Sequence, residues 1–581
     1  MRKIVLTSLL AAVLAATVTT TSGCNKGDPN ALETHVAKLD DTESRGNAIK
    51  ELERIVSGIA ADPEDARRAE FAEKVIPKLA EIYDADDTAP YRDQILDMAL
   101  KMERPEAAVI WSKAIAVDSG SGIDGSAEGH KRAIVALQGI RAAKAEAASA
   151  DVIKAFTTLQ EKPSKDMGAN QEGALRYEMA KTMGELKAKD AVAPLVAALG
   201  ADETEQPKPI YKASVDALGQ IGDPAAVDAL IAVQFAVADA PSPTSIGERA
   251  IRALGAIGEG AVPKLVETMQ GKNEKVNSLA AEKGLDIQIV QQSALRPLGT
   301  IGSKTAVPDI IAYMPQTDCG GDEPVDPKLL EEFDANAAAG LRAFAANTLG
   351  FIGDPAAVEP LCKCRNATHN PVDLWEITSA LGRIGGDDAF ACLQKIVTEN
   401  HYDTEEAVEE EFKYEIRWQG IRYLVLSASP AKAADIKAAI ENNDPKVKAE
   451  VEKLGWVAGV GVLEECKEDV ACYEKVMMDA TKQWFEREVA AFNFARMSTP
   501  GDAAAAAKLA KAFKTRDPEA RMNIAWLTAK VAGSTPCPEC VDALEGVMKA
   551  EELTKDATMQ AAWITARQTI AKVSGGAAGN D

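Results

Sequence analysis

The sequence predicts an all-α protein, an α-solenoid (superhelix) of stacked antiparallel helix pairs. Three observations carry that expectation. A turn of the form Leu-Gly-x-Ile-Gly recurs through the middle of the chain, the sign of a repeat architecture. Aromatics are only 5% of the residues while apolar residues reach 46%, a balance that favours closely packed, Ala-rich helices over β-sandwiches. Outside the motif, apolar residues return at i, i+3 and i+4.

The 581 residues carry 65 Lys and Arg against 89 Asp and Glu, a formal net charge of −24. That balance excludes nucleic acid as a general partner, since a phosphate backbone must be neutralised by basic side chains. Four histidines in the whole chain offer little material for a His-rich metal centre, and neither metal nor cofactor is expected.

In chain order, the first element is an address. Arg2 and Lys3 precede the apolar run Ile4 to Val18, and Thr19 to Gly23 is small and polar, so residues 1–23 read as a signal peptide. The run is shorter than the ~20 apolar residues a spanning helix needs. Ser22-Gly23-Cys24 resembles the lipobox of bacterial lipoproteins, with Thr21 where leucine is usual. The resemblance implies cleavage between Gly23 and Cys24, acylation of Cys24, and a lipid-anchored tether over 24–30. Several acyl chains would then hold the chain to a lipid bilayer with no transmembrane helix. A plain secretory signal with Cys24 incidental is the alternative.

The solenoid is expected over 31–573. Arg45 to Ile55, Phe71 to Leu79, and residues 91–117 and 131–159 all show helical apolar spacing. Between them, Asp118 to Gly129 is rich in Gly and Ser and reads as a flexible connection. The repeat follows. Its good copies start at Leu218, Leu254, Leu298, Leu349 and Leu381, with a looser one at Met183. The first glycines stand at 184, 219, 255, 299, 350 and 382, in steps of 35, 36, 44, 51 and 32. In each unit the second glycine, as at Gly222 or Gly353, suits the left-handed residue that ends a helix. Asp223 or Asp354 then caps the next helix, with Pro224 or Pro355 at its first position, where a missing N–H costs nothing. The first glycine clears space where two helices cross. Neither helix can bury its apolar face alone, so neighbouring pairs must stack.

These residues resemble HEAT-like (HEAT/armadillo) repeats of the phycobilisome-lyase subclass, best matched over about residues 170–400. The resemblance implies a superhelix of about 11–13 helix pairs. Residues 314–340 hold Pro315, Gly320, Gly321, Pro324 and Pro327 among acidic side chains, an acidic insertion, and residues 402–411 form a second acidic patch. Neither has a defined calcium-loop spacing. Trp418, Trp456, Trp484, Trp526 and Trp563 recur at steps of 38, 28, 42 and 37. A binding stripe is one reading of them, and core filling between repeats is the stronger. The Gly/Ala-rich tail 574–581 reads as disordered.

Eight cysteines besides Cys24 form an even set, as disulfides in an oxidising compartment would. Cys466 and Cys472 would differ by roughly 9 Å in height on one continuous helix. They can pair only if the helix breaks, with Asp469 capping the next one. Cys537 and Cys540 flank Pro538 and Glu539 at a helix start. A structural staple is expected there, with a thiol-exchange site as the alternative. Cys319, Cys362, Cys364 and Cys392 have no assignable pairing. With His369 three of them could be offered to zinc, but the spacing matches no zinc signature.

No phosphate loop, H-E-x-x-H or G-x-S-x-G occurs, and His35, His130, His369 and His401 lack a partner nucleophile at recognisable spacing. No catalytic residue is expected. The functional expectation is a non-catalytic, membrane-tethered HEAT-repeat scaffold that binds other envelope proteins, exported and facing the periplasm or the outer surface. A lyase- or chaperone-like ligand-handling role is the alternative that the resemblance implies.

Overall fold

The computed structural model describes residues 28–162, 168–202, 206–239, 242–314, 335–367, 371–398, 410–551 and 557–574. The signal peptide with Gly23, Cys24 and most of the tether lie outside the described residues. So do Cys319 with the insertion over 315–334, His369, His401, the acidic stretch 402–409 and the tail from 575. The described residues are helices joined by short turns, and no strand occurs among them beyond a lone bridge between Val117 and Ile123. Among the described residues no helix is long and apolar enough to cross a membrane. The chain divides into two compact units, Met1–Ile110 and Trp111–Asp581.

In the first unit, α1 (Thr42–Ala60) packs on α2 (Arg92–Met102). The Asp41 side chain accepts from the Glu43 N–H and starts α1. Ile49, Leu52, Val56 and Ile59 recur at helical spacing and are fully buried with Phe71, Val75 and Ile95. Residues 71–79, expected as a plain α-helix, open with a π-turn over Phe71–Val75. Pro77 stands just beyond it and has no N–H for the α-helical ladder, so the turn widens upstream of it.

In the second unit, inner helices follow one another along the stack. They are α3 (Ala127–Ala142), α4 (Ala169–Glu185), α5 (Lys208–Ile221), α6 (Ile246–Ile257), α7 (Ile287–Ile301), α8 (Ala335–Ile352), α9 (Pro371–Ile384) and α10 (Glu410–Ser427). They continue as α11 (Trp456–Cys466), α12 (Trp484–Met497), α13 (Pro518–Ala532) and α14 (Ala557–Val573). Each packs on the next. Outer helices such as Val192–Leu199, Val227–Ala236 and Val262–Met269 alternate with them. This is the α-solenoid.

One feature goes beyond simple stacking. The last inner helices fold back onto the earlier inner layer, α14 against α6 and α12 against α10. The inner helices that they reach are therefore covered on a second side, and 11 of the 15 residues of α13 are buried, as a helix enclosed by its neighbours must be.

The Gly/Ser-rich segment after residue 117 is not the loose connection expected of its composition. Asp118 N–H donates to the Ile123 carbonyl and Ile123 N–H to that of Ala116, both at 2.9 Å. Ile123 and Ser121 are buried. A Cβ at Gly122 would fall 2.7 Å from the Lys113 carbonyl oxygen, so glycine here permits close packing.

Candidate functional site

The repeat turn is built from the residues the motif supplies. Gly222, Gly302, Gly353 and Gly385 have φ of 73°, 71°, 70° and 70°, the left-handed backbone that favours glycine. Asp223 and Asp354 accept from the N–H groups of Ala225 and Ala356 at 2.9 Å. Each caps a short 3-10 turn, Pro224–Ala226 or Pro355–Ala357, that leads into the outer helix. The first glycines mark the crossings. A Cβ at Gly219 would lie 2.8 Å from Ala253 Cα, and one at Gly350 2.7 Å from Ala380 Cα. Gly299 is looser, its nearest neighbours standing 3.5 Å away.

Where the inner layer closes on itself, cations meet helix ends. Arg496 donates at 3.0 Å to the Ala428 carbonyl and also to that of Leu426. It stands 3.2 Å from where a Gly385 Cβ would be. Lys530 Nζ lies 2.9 Å from the same point of Gly353, and Lys572 donates to the Ile301 carbonyl at 3.2 Å. Each cation occupies the last turn of its own helix, α12, α13 or α14. Each thus faces two carbonyl-rich, electronegative helix ends at once. Burial lowers Lys530 to about 8, helped by Arg496 and Lys304, and it lowers Arg496 to about 10.

Deeper lies a charged cluster that pattern reasoning missed. Arg422 of α10 donates to both Glu488 carboxylate oxygens of α12 at 3.0 and 2.8 Å. It also donates to Glu519 of α13 at 2.5 Å. Tyr423 hydrogen-bonds Glu519. Asn523 donates to Glu488 at 2.8 Å, and Arg383 of α9 donates to Asn523 at 3.2 Å. Glu488 is fully buried. Burial raises it to about 7, with Arg422 opposing and Asp517 and Glu519 adding to the rise.

A small cleft of about 40 Å³ opens beside α14, between Asp216, Gly219 and Gln220 of α5, Arg249, Arg252, Ala253 and Ala256 of α6, and Ala571. Arg249 and Asp216 pair on its flank, and Arg252 donates to the Pro243 carbonyl at 2.9 Å.

The structure joins Cys466 to Cys472 and Cys537 to Cys540, with Cα atoms 5.3 and 5.2 Å apart. Asp469 accepts from the Ala471 N–H at 2.9 Å between α11 and the next helix. Cys362 joins Cys392, and Cys364 is also disulfide-bonded. Cys537 and Cys540 are only 2% and 0% exposed, which denies an attacking thiolate the access that exchange requires. Among the described residues no group of His, Cys, Asp and Glu could hold a metal ion. His35 and His130 each contact a backbone oxygen, of Pro29 and Gln171. Trp456, Trp526 and Trp563 are buried, and Trp418 and Trp484 are half-buried.

A family model described as HEAT repeats matches residues 168–235 and 327–413. No curated protein matches the chain. Among solved structures, Kap121p is 9% identical, with 93% of this chain and 67% of that one covered and a TM-score of 0.27. Human deoxyhypusine hydroxylase is 17% identical over 55% of this chain and 96% of its own, with a TM-score of 0.19. The myosin chaperone UNC-45 from C. elegans, solved with an Hsp70 peptide, is 14% identical over 94% and 75%, with a TM-score of 0.20. Likenesses this distant carry no argument about activity or partners.

Proposed function

We propose that this HEAT-repeat solenoid is a non-catalytic, membrane-tethered scaffold of the bacterial cell envelope that binds other proteins. It is exported by residues 1–23, held by acyl chains on Cys24, and faces the periplasm. The observation that carries the binding role is the closure of the inner layer. The chain fills that space with its own α12, α13 and α14, so the second unit meets other molecules through its outer helices and turns. The export reading is supported by the lipobox-like Ser22-Gly23-Cys24 and by cysteines placed in pairs at bonding distance.

Two measurements test it. Intact mass of the mature N-terminus should give an acylated Cys24, and Cys24→Ser should release the protein from membranes. A free Cys24 in a chain that still sediments with membranes would overturn the anchor. Photocrosslinking from outer-helix positions in the intact envelope should yield discrete protein adducts. An adduct-free protein with visible absorbance from a bound chromophore would point instead to the ligand-handling role.

A further inference from the structure

Residues 28–30, read from the sequence as the end of a tether, belong to the folded first unit. The His35 ring, only 5% exposed, meets the Pro29 carbonyl oxygen through Nε2 at 2.9 Å. Arg54 of α1 donates to the Asn30 side-chain oxygen at 3.0 Å. The Ala31 N–H donates to the Asp28 carbonyl at 3.0 Å, and the helix Leu32–Val36 follows with Leu32 buried. Asp28, Pro29 and Asn30 are thus exposed but fixed to α1. Beside them Glu51, Arg54 and Gly58 lie three and four residues apart, on one exposed face of α1 that Ser57 adjoins. Among the described residues no atom comes within 4 Å of where a Gly58 Cβ would be. Only Asn25, Lys26 and Gly27 separate Asp28 from Cys24.

We propose that the first unit sits on the bilayer to which Cys24 anchors it, with Asp28–Asn30 and the Glu51–Arg54–Gly58 face of α1 turned to the phospholipid headgroups. The proposal deepens the membrane-tethered reading and rests on acylation of Cys24. Length carries it. Four residue steps span at most about 14 Å when fully extended, and the headgroup layer itself takes up roughly 5–8 Å outside the hydrocarbon. Acyl chains buried in the hydrocarbon hold Cys24 at that layer, so Asp28 cannot leave the membrane surface. Charge does not carry it. The protein has a net charge of −24, and Arg54 is already paired with Glu51 at 2.9 Å, so an anionic headgroup gains nothing from this face. Contact is imposed by the short tether and is indifferent to the charge of the lipid. A protein that grips the first unit therefore meets it at the bilayer surface.

The test uses the full, acylated chain in vesicles of phosphatidylethanolamine and phosphatidylglycerol, with a nitroxide on a fraction of the headgroups. A fluorescent amino acid replaces Ser57, whose hydroxyl donates to the Glu53 carbonyl of its own helix. Strong quenching is expected. Inserting about twenty Gly and Ser residues between Lys26 and Gly27 should cut it at least about twofold, since a flexible tether of that length spans roughly 25–30 Å. Replacing phosphatidylglycerol by phosphatidylcholine should leave the quenching unchanged. Weak quenching in both chains, quenching that survives the insertion, or quenching lost on the neutral vesicles each overturns the seating on the bilayer. Intact mass separates the two ways of failing. An unacylated Cys24 removes the anchor and this inference together, whereas an acylated chain that goes unquenched removes this inference alone.

Discussion

The indole N–H of Trp526 donates to the backbone carbonyl of Phe351, 175 residues earlier in the chain, at 2.8 Å. The two rings meet edge-on, with centroids 6.3 Å apart, and Lys530 lies over the Trp526 ring at 4.7 Å. One side chain thus joins α8 to α13 by a hydrogen bond and a ring contact, and Lys530 of its own helix covers its face. Trp526 fills the interior, as core packing requires, but against a repeat far from its own neighbours.

Trp526→Ala should therefore cost about 3–5 kcal/mol of stability, and Trp526→Phe about 1 kcal/mol from the lost hydrogen bond. Denaturant unfolding measures both. Hydrogen exchange should show the loss around residue 351 as well as in α13. A Trp526→Phe protein as stable as wild type would remove the bond from the account.

The first glycines should divide by their neighbours. Gly350→Ala drives a Cβ against the Ala380 backbone at 2.7 Å and should destabilise by about 1–3 kcal/mol. Gly299→Ala finds its nearest atoms at 3.5 Å and should be neutral or stabilising by up to about 1 kcal/mol, since alanine is the better helix former. Thermal melts of the two variants decide it.

Glu488 gives a stability that depends on pH. Its carboxyl rises from 4.5 to about 7 on folding, so the folded state holds the extra proton between those values. Stability is then lost as pH rises from about 4.5 through 7, by roughly 1–3 kcal/mol from this group. Glu488→Gln is neutral at every pH like the protonated carboxyl, and it leaves Arg422 with Glu519 as a counter-charge, so it should be close to wild type near pH 5.5. Its stability should also vary less with pH across this window than that of wild type. Denaturant titrations at about pH 5.5 and 8 test the difference.

Lys530 has the opposite sign. Burial lowers it from 10.5 to about 8, so the unfolded chain binds the extra proton between those values, and stability climbs as pH rises through that window. Lys530→Met should abolish the climb. A wild type whose stability falls between about pH 8 and 10 relative to the variant would reject the assignment.

The disulfides should rank by the loop they close. Cys362 and Cys392 are 30 residues apart and Cys466 and Cys472 only 6. Loop-closure entropy then predicts losses of about 3–4 and about 2 kcal/mol when each pair becomes serine. Melting of the two double variants compares them.

The repeat turn was legible because it is local. A left-handed glycine, an Asx cap and a proline act within five residues, so Gly222-Asp223-Pro224 declares its geometry with no knowledge of the rest. The break between Cys466 and Cys472 was legible for the same reason. The closure of the inner layer was not, because contacts 175 or 271 residues apart leave no periodic imprint. Two traces existed. α13 is Ala-rich with no clear polar face, as a doubly covered helix must be. Lys530 stands three residues before Gly533, where the earlier repeats place their first glycine. Arg422 and Glu488, in turn, looked like two of many charges until folding removed the water between them.

The antiparallel order of the cation contacts bears on how the chain matures. Ile301 meets Lys572, Gly353 meets Lys530, and Gly385 meets Arg496, so the middle repeats await partners made near the end of synthesis. An ordinary solenoid can finish each repeat as the following one emerges. Here the central repeats keep the face that α12, α13 and α14 cover wet until those helices arrive, so completion is a late, all-together event, slow in the manner of distant contacts and open to misassembly in the interval.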